Sequence, residues 1–360
     1  MIKNKLTRKK VFVGMSGGVD SSVSALLLKK KGFDVTGVFI KAWHPDFIPC
    51  NWKQEMRDAM RVCARLETPF LMLDLEKEYK KHVVDYLVSE YKKGRTPNPD
   101  ILCNKHIKFG SFLKWSIKQG ADFVATGHYA QKNTTLKKAK DETKDQTYFL
   151  WTLKPEQLEF IEFPIGHLLK SEVREIAKSN KLHISNKKDS QGICFLGQVD
   201  MKNFLKRYIK TKPGDVVDLR DNVIGRHQGV ELYTIGERHG FSILNQKEFT
   251  KPHYVIKKDF KKNKLIVSDI EQKEKFTTKI TMESVNLILN QAEKSKLEKT
   301  GIQTNVRIRH RGDLHNATLY KTKKENYYIK FKIPIKNVAE GQSVVFYKAQ
   351  KCFGGGIVSI

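Results

Sequence analysis

Long apolar runs are absent from this 360-residue sequence: none approaches the roughly 18 residues that a membrane-spanning helix needs. The basic opening, residues 1–10, leads into a strand-like segment without the apolar core of a signal peptide. Ten residues also leave no room for an amphipathic, Ser- and Arg-rich mitochondrial presequence. We therefore expect a cytoplasmic protein, and the length favours two or three domains.

Cysteine is scarce as well. Five cysteines in a cytosolic chain of this length do not make a disulfide framework. No two of them form a C-x-x-C pair, which argues against structural zinc. Any cysteine that matters in this protein should therefore matter for its chemistry.

Acidic residues and arginine are both in short supply. The chain has 67 Lys and Arg against 39 Asp and Glu, a net charge of +28, and arginine supplies only 13 of the basic residues. This charge favours a nucleic-acid partner, because Lys and Arg placed against phosphates release counterions. A lysine excess could also follow from an A/T-rich coding bias, so charge alone leaves both explanations open.

A glycine-rich loop near the N-terminus is the clearest motif. Residues 11–13 read as a strand, and Ser16-Gly17-Gly18 lead into a helical pattern with Asp20 and Ser21 in its first turn. Glycines without a Cβ and the free N–H groups of a helix start suit an anion. The loop lacks the Lys-Ser/Thr of a Walker motif and the third glycine of a dinucleotide fingerprint.

The segments that follow alternate between strand and helix patterns. Strands are predicted at 34–40, 70–75 and 123–126, with helices at 55–66, 79–91, 154–161 and 171–180 and a surface loop at 132–145. This alternation predicts a parallel sheet covered by helices, with ligands at the carboxyl ends of its strands. The Ser16 loop, Ile40 and the Gly127-His128 pair should meet at that edge.

Two cysteines lie in distinctive loops. Cys103 follows a proline-bounded Asn98-Pro99-Asp100 turn and, with Lys105 and His106 beside it, is predicted at the start of a helix where the thiol pKa is lowered. Cys194 lies between two glycines. Because both loops belong to one α/β region, a Cys103–Cys194 pair is geometrically possible.

The C-terminal half is rich in short strand patterns. Strands are predicted at 214–219, 230–235, 253–258 and 264–268, and then at 304–310, 317–320, 327–333 and 343–347. The last group suggests a small barrel or a sandwich. Arg307, Arg309 and Arg311 would alternate along one strand face, as a basic stripe or as an ordinary solvated face.

Taken together, the motifs resemble those of tRNA 2-thiouridylases. Ser-Gly-Gly-Val-Asp-Ser is similar to the PP-loop of the ATP pyrophosphatases, which is shared with several small-molecule synthetases. More specific motifs follow in one order: Asn98–Asn104, Ala125–Tyr129, Lys144–Gln146, Asp189–Phe195, Thr234–Arg238 and the closing Gly-Gly-Gly-Ile. The resemblance implies an α/β N-terminal PP-loop domain, a Rossmann-like nucleotide hydrolase fold (1–201), a small β-rich central domain (202–274) and a C-terminal β-barrel (275–360).

The family's activity implies roles for particular residues. ATP, with Mg²⁺ near Asp20, would adenylate the C2 oxygen of the wobble uridine in the tRNAs for Lys, Glu and Gln. Cys194 would carry a persulfide from a cysteine desulfurase or relay protein, and Cys103 would attack it, giving a transient disulfide. Asp100 would be the general acid/base. The implied ATP contacts are Gly14, Met15, Ser16, Gly17, Gly18, Val19, Asp20, Ser21, Ile40 and Gly127; the target base would meet Asn98, Pro99 and Asp100; the tRNA contacts are His128, Lys144, Asp145, Gln146, Arg309, His310 and Gln342.

Three alternatives stay open at this stage. The chain could be another PP-loop enzyme that acts on a small-molecule carbonyl and needs neither cysteine. It could also be a tRNA-binding protein without catalysis, whose cysteines are merely buried. Finally, the two cysteines and Asp100 could ligate an iron–sulfur cluster.

Overall fold

The computed structural model describes residues 8–47, 51–189, 192, 194, 200–244, 251–269, 277–322, 326–336 and 338–359. Cys50 and residues 190, 191, 193 and 195–197 of the second cysteine motif lie outside the described residues. Within these ranges, no helix is long and apolar enough to cross a membrane.

The first domain alternates strands and helices. Its strands are β1 (Lys10–Gly14), β2 (Asp34–Lys41), β3 (Phe70–Asp74), β4 (Phe123–Ala125), β5 (Gln131–Lys132), β6 (Leu136–Lys137) and β7 (Ile161–Glu162). Its helices are α1 (Val19–Lys30), α2 (Trp52–Arg65), α3 (Glu76–Tyr79), α4 (Asp85–Lys92), α5 (Pro99–Leu102), α6 (Leu113–Lys118), α7 (Pro155–Leu158) and α8 (Lys170–Ser179). π-helical segments, Lys80–Val84 and Cys103–Phe112, join α3 to α4 and α5 to α6, and Thr147–Phe149 is a 3₁₀ turn.

A parallel sheet organises this domain, in the order β3-β2-β1-β4-β7. Successive side chains of β1 enter different cores: Val11 and Val13 pack in one cluster and Phe12 in the other. A strand buried on both faces is what a run of apolar residues predicts in a helix-covered parallel sheet. The predicted fold class is therefore confirmed.

Two details of the predicted first domain are wrong. The segment 154–161 is helical only over Pro155–Leu158, and its end begins the edge strand β7. The segment 132–145, predicted as a surface loop, includes β6 and ends at Asp145, which is 3 % exposed. In both cases pairing with a distant strand overrides local composition, which only tertiary structure reveals.

The central domain is a five-stranded sheet that follows helix α9 (Met201–Lys206). Its strands are β8 (Gly214–Val217), β9 (Val223–His227), β10 (Ser242–Ile243), β11 (Tyr254–Asp259) and β12 (Lys264–Ser268), in the order β10-β9-β8-β12-β11. The strand predicted at 230–235 is wrong, since Val230–Leu232 is a 3₁₀ turn. The pattern missed two strands: β9, where Gly225 and Arg226 interrupt the apolar run, and the two-residue β10.

The C-terminal domain is a closed barrel in the described part of the chain. Its strands are β13 (Thr277–Leu287), β14 (Ile302–Arg307), β15 (His315–Lys321), β16 (Tyr327–Ile335), β17 (Ser343–Lys348) and β18 (Lys351–Ser359), with helix α10 (Gln291–Lys299) between the first two. Strand β13 pairs with both β16 and β18, which closes the sheet and excludes the sandwich. Strand β6 of the first domain extends this sheet beside β18.

Candidate active site

The glycine-rich loop joins β1 to α1 and is closed by hydroxyl contacts. The Ser16 and Ser21 hydroxyl oxygens lie 3.1 Å apart, and the Ser16 N–H donates to Ser21 Oγ at 3.2 Å. Gly17 has a left-handed backbone (φ 71°) between them. The remaining predicted loop residues frame this turn: Gly14 ends β1, Met15 donates its N–H to Val38, Gly18 caps α1 and Val19 begins it.

The chain just after β4 packs directly against this loop. A Cβ on Gly127 would lie 2.6 Å from the Ser21 nitrogen and 2.8 Å from the Asp20 carbonyl carbon, so only glycine fits there. Ile40, buried near the end of β2, belongs to the same carboxyl edge of the sheet. The structure thus brings the Ser16 loop, Ile40 and Gly127 to one edge, as the strand order predicted.

Asp20 is held by two side chains that the sequence did not single out. The ammonium of Lys170 lies 2.7 and 2.9 Å from its two carboxylate oxygens, and the Tyr129 hydroxyl donates to it at 2.9 Å. Lys170 also contacts Asp189 at 2.9 Å. A second lysine, Lys187, donates to the Gly17 carbonyl oxygen at 3.0 Å. Lysines that distant helices and loops bring to the loop leave no local signal in the sequence.

Cys103 lies inside a helix rather than at its start, so that expectation is wrong. The helix begins upstream at Pro99, and the Asn98 side chain caps it by accepting from the N–H groups of Asp100 and Ile101 at 3.0 and 3.3 Å. Proline at the first helical position needs no hydrogen-bond partner for its nitrogen, which explains why the proline does not block the helix.

The side chains of Cys103 and Cys194, which the sequence analysis singled out, lie in contact. Cys103 Sγ lies 3.2 Å from Cys194 Sγ, and the Cys194 N–H donates to the Asp100 carboxylate at 2.8 Å. The Tyr79 hydroxyl donates to the Cys194 carbonyl oxygen at 2.7 Å. Cys103 is fully buried and Cys194 is half-buried, so neither thiol lies on an open surface.

Burial and one lysine set the protonation of this cluster. A hydrogen bond from the Cys103 thiol and the nearby Lys108 ammonium lower the pKa of Cys194, while burial raises the pKa of Cys103. Burial also raises the pKa of Asp100.

Lys105 and His106, which the sequence placed beside the thiol, do not lower its pKa. Lys105 is exposed, and the His106 ring stacks on His82 with centroids 4.9 Å apart. Burial lowers the pKa of His106 to about 4, so this ring is neutral near pH 7. The expectation that the pKa of Cys103 is lowered is therefore wrong, and Lys108 is the cation that faces the pair.

The predicted tRNA contacts in the first domain occupy different environments. His128 is buried, with Nδ1 2.7 Å from Thr126 Oγ1 and Nε2 3.4 Å from Lys108 Nζ. Lys144 pairs with Asp189 at 2.7 Å. Asp145 is buried and accepts from Thr147 Oγ1 at 2.8 Å, and Gln146 accepts the N–H of Tyr129 at 2.9 Å.

The predicted contacts in the barrel lie around the turn after β14. That strand ends at Arg307, and Arg309 and Arg311 lie in the turn, so the predicted alternation along one strand is wrong. The His310 ring packs on Phe149 with centroids 4.4 Å apart. Gln342 donates to the Thr96 carbonyl oxygen at 3.0 Å, close to the cysteine-bearing helix.

These features define an α/β enzyme in which an anion-binding loop and a facing pair of thiols belong to the same domain, extended by two β-domains. Among the residues that the structure describes, no group of three or more His, Cys, Asp or Glu side chains could hold a metal ion.

Comparison with known proteins shows the family to which this chain belongs. Protein-family models match end to end: the tRNA methyl transferase HUP domain (9–198), the tRNA methyl transferase PRC-barrel domain (202–269) and the aminomethyltransferase beta-barrel domain (277–358). The tRNA-specific 2-thiouridylases MnmA of Bacillus licheniformis and Bacillus subtilis are 43% and 42% identical over 97% of this chain and 94% of theirs. The chain belongs to the tRNA-specific 2-thiouridylase family.

A solved structure is also similar, at a lower level. The U34-tRNA thiolase NcsA of Methanococcus maripaludis is 20% identical, with a TM-score of 0.36, over 56% of this chain and 64% of that one.

Proposed function

We propose that this protein is an ATP-dependent tRNA-uridine 2-sulfurtransferase. The observation that carries the proposal is the 3.2 Å approach of Cys103 Sγ to Cys194 Sγ, with Asp100 on the Cys194 backbone, in the domain that bears the PP-loop. The relatives that span nearly the whole chain are named tRNA-specific 2-thiouridylases. A PP-loop enzyme that acts on a small molecule would have no use for this thiol pair.

The chemistry needs both halves of the site. The C2 carbonyl of uridine is amide-like and a poor electrophile, so its oxygen must first become a leaving group. ATP would transfer AMP to that oxygen and release pyrophosphate, for which the Ser16, Gly17, Gly18 and Ser21 turn offers hydroxyl and N–H donors. Mg²⁺ would neutralise phosphate charge there, and the Asp20 carboxylate is the type of ligand that Mg²⁺ prefers.

Sulfur transfer would use the thiol pair. Cys103 attacks the inner sulfur of a Cys194 persulfide anion, and the proton of the Cys103 thiol leaves with the outer sulfur, which gives the Cys103–Cys194 disulfide and releases hydrosulfide. Hydrosulfide attacks C2, AMP leaves with the original oxygen, and Asp100 takes or returns the proton. A thiol reductant must then restore both cysteines before the next turnover. The short Sγ–Sγ distance supports this step because little movement separates the two thiols from a disulfide.

The recognised uridine would be the wobble base of the tRNAs for Lys, Glu and Gln. That base must leave the anticodon stack to reach Asn98, Pro99 and Asp100, at a cost of roughly a few kcal/mol that pocket contacts offset. The sulfur would come from a cysteine desulfurase or a relay protein. The net charge of +28 supports a tRNA partner.

The test is reconstitution. The purified protein is incubated with ATP, Mg²⁺, a cysteine desulfurase, cysteine and tRNA from a strain that lacks wobble thiolation, and 2-thiouridine is detected by retardation on an organomercury gel. We expect one AMP and one pyrophosphate per thiolated tRNA, and no retardation with Cys194→Ser or Cys103→Ser.

The matched control is Cys352→Ser, since Cys352 is fully buried in the barrel and its thiol pKa is raised to about 12. This variant should thiolate tRNA normally. Cleavage of ATP to AMP without thiolated tRNA in the wild type would refute the proposed acceptor, and full activity of Cys194→Ser would refute the proposed sulfur carrier.

A further inference from the structure

Lys108 lies among the groups that face the cysteine pair. Its ammonium hydrogen-bonds the Cys194 side chain and lies 3.4 Å from His128 Nε2. His128 is neutral, because burial and the lysine charge both lower its pKa. With Lys108 donating to Nε2, the ring proton is on Nδ1, where it faces Thr126 Oγ1 at 2.7 Å. The imidazole thus orients the ammonium toward the thiols.

An unusual helix places Lys108 there. Cys103–Phe112 form a π-helix, whose hydrogen bonds join residues five apart, so Lys108 lies on the same face as Cys103. In an α-helix, five residues turn through about 500°, which would leave Lys108 about 140° away from Cys103 around the axis. The ammonium meets the thiols only because the helix is wound in this way.

Gly110 is the sequence feature that fits this winding. A Cβ at Gly110 would lie 2.9 Å from the Lys105 carbonyl oxygen, closer than real side chains come to a backbone atom. Lys105 is the residue five positions earlier, so the contact belongs to the π-helical turn itself. A glycine at this position permits the turn that a larger residue would oppose.

We propose that Lys108 is the residue that holds the sulfur of Cys194 as an anion, first as the thiolate that accepts sulfur and then as the persulfide. A buried anion needs a counter-charge, and an ammonium in contact supplies it. The other titratable groups that face Cys194 are Cys103, Asp100 and Tyr79. A thiol, a carboxyl group and a phenol are either uncharged or negatively charged, so none of them can supply positive charge. The inference deepens the proposed function, which gives the anion its task.

The experiment measures alkylation of the reduced full-length protein by iodoacetamide across pH 5–10, with the Cys194 peptide quantified by mass spectrometry. Alkylation requires the thiolate, so the pH midpoint reports the pKa of Cys194 independently of its accessibility. We expect a wild-type midpoint below the ordinary thiol value of about 8.5. Lys108→Met should raise the midpoint by at least about one pH unit, which lowers the rate at pH 7 about tenfold.

Two variants separate charge from structure. Lys108→Arg keeps the positive charge and should retain most of the midpoint shift. Lys105→Met removes an exposed lysine from the same helix and should leave the midpoint unchanged. A midpoint that is the same in the wild type and Lys108→Met refutes the inference. If Lys108→Met does not fold, a wild-type midpoint at or above about 8.5 refutes it equally.

The assay uses neither tRNA nor ATP, so its result is independent of the proposed function. A protein that fails to thiolate tRNA but shows the Lys108-dependent midpoint would refute the reaction and keep the electrostatic role. The converse result would keep the reaction and refute the role of Lys108.

Discussion

Oxidation of the cysteine pair should stabilise the first domain strongly. The Cys103 and Cys194 sulfurs are 3.2 Å apart and 91 residues apart in sequence. Bond formation needs a closure of about 1.2 Å to reach the disulfide length of about 2.05 Å. Oxidised glutathione, which accepts the two electrons and leaves as two reduced molecules, should therefore form an intrachain disulfide in the protein without tRNA or ATP.

The size of the effect follows from the closed loop. In the chain-entropy description, a cross-link across a loop of this length destabilises the unfolded chain by about 4.6 kcal/mol at 25 °C. For a domain of 150–250 residues each kcal/mol corresponds to about 2–4 °C in Tm, so the expected increase is roughly 9–18 °C. Strain in the native disulfide would reduce this value, so it is an upper range.

The assay compares thermal melts of the oxidised and reduced protein, with the disulfide verified by non-reducing electrophoresis and peptide mapping. Cys103→Ser and Cys194→Ser should each abolish both the cross-link and the increase in Tm. Cys352→Ser should preserve both, because that thiol is buried in the barrel. Oxidation that yields intermolecular dimers instead, or a cross-link without an increase in Tm, would refute the paired geometry.

Two further substitutions test how the site is held. Gly127→Ala should cost about 1–3 kcal/mol of stability and abolish ATP binding, because the new Cβ would lie 2.6 Å from the Ser21 nitrogen. Thermal melts measure the loss of stability, and ATP titration measures the loss of binding. Unimpaired ATP affinity would contradict the close packing. Asn98→Ala removes the helix cap and should lower the free energy of unfolding by about 1 kcal/mol, whereas Asn98→Asp should keep the capping hydrogen bonds. Equal melting temperatures for the wild type and Asn98→Ala would show that the cap does not contribute to stability.

The sequence predicted the first domain well where elements are long and apolar on both faces. Strands β1 and β2 were placed to within a residue at each end, and the strand order followed from their alternation with helices. The meeting of Ser16, Ile40 and Gly127 was predictable for the same reason, since carboxyl ends of parallel strands share an edge. The closeness of Cys103 and Cys194 was predicted as a possibility, and their distance required the structure.

The charges around the site were not predictable. From their closeness in sequence, Lys105 and His106 were predicted to activate Cys103. The lysine that faces the cysteine pair and contacts Cys194 is instead Lys108, because a π-helical turn changes which residues share a face. Lys170 reaches Asp20 across 150 residues of sequence. Helical periodicity assumes α-helix geometry, and long-range ion pairs have no periodicity, so neither contact leaves a local pattern.

The segment just before the cysteine-bearing helix is in contact with both β-domains. Lys258 of the central domain donates to the Gly94 carbonyl oxygen, and the Thr234 and Thr96 hydroxyl oxygens lie 3.2 Å apart. From the barrel, Gln342 donates to the Thr96 carbonyl oxygen at 3.0 Å. Both domains therefore hold the chain immediately upstream of Asn98. Because that cap fixes where the helix begins, we expect a shift of either β-domain to be transmitted to Asp100 and Cys103.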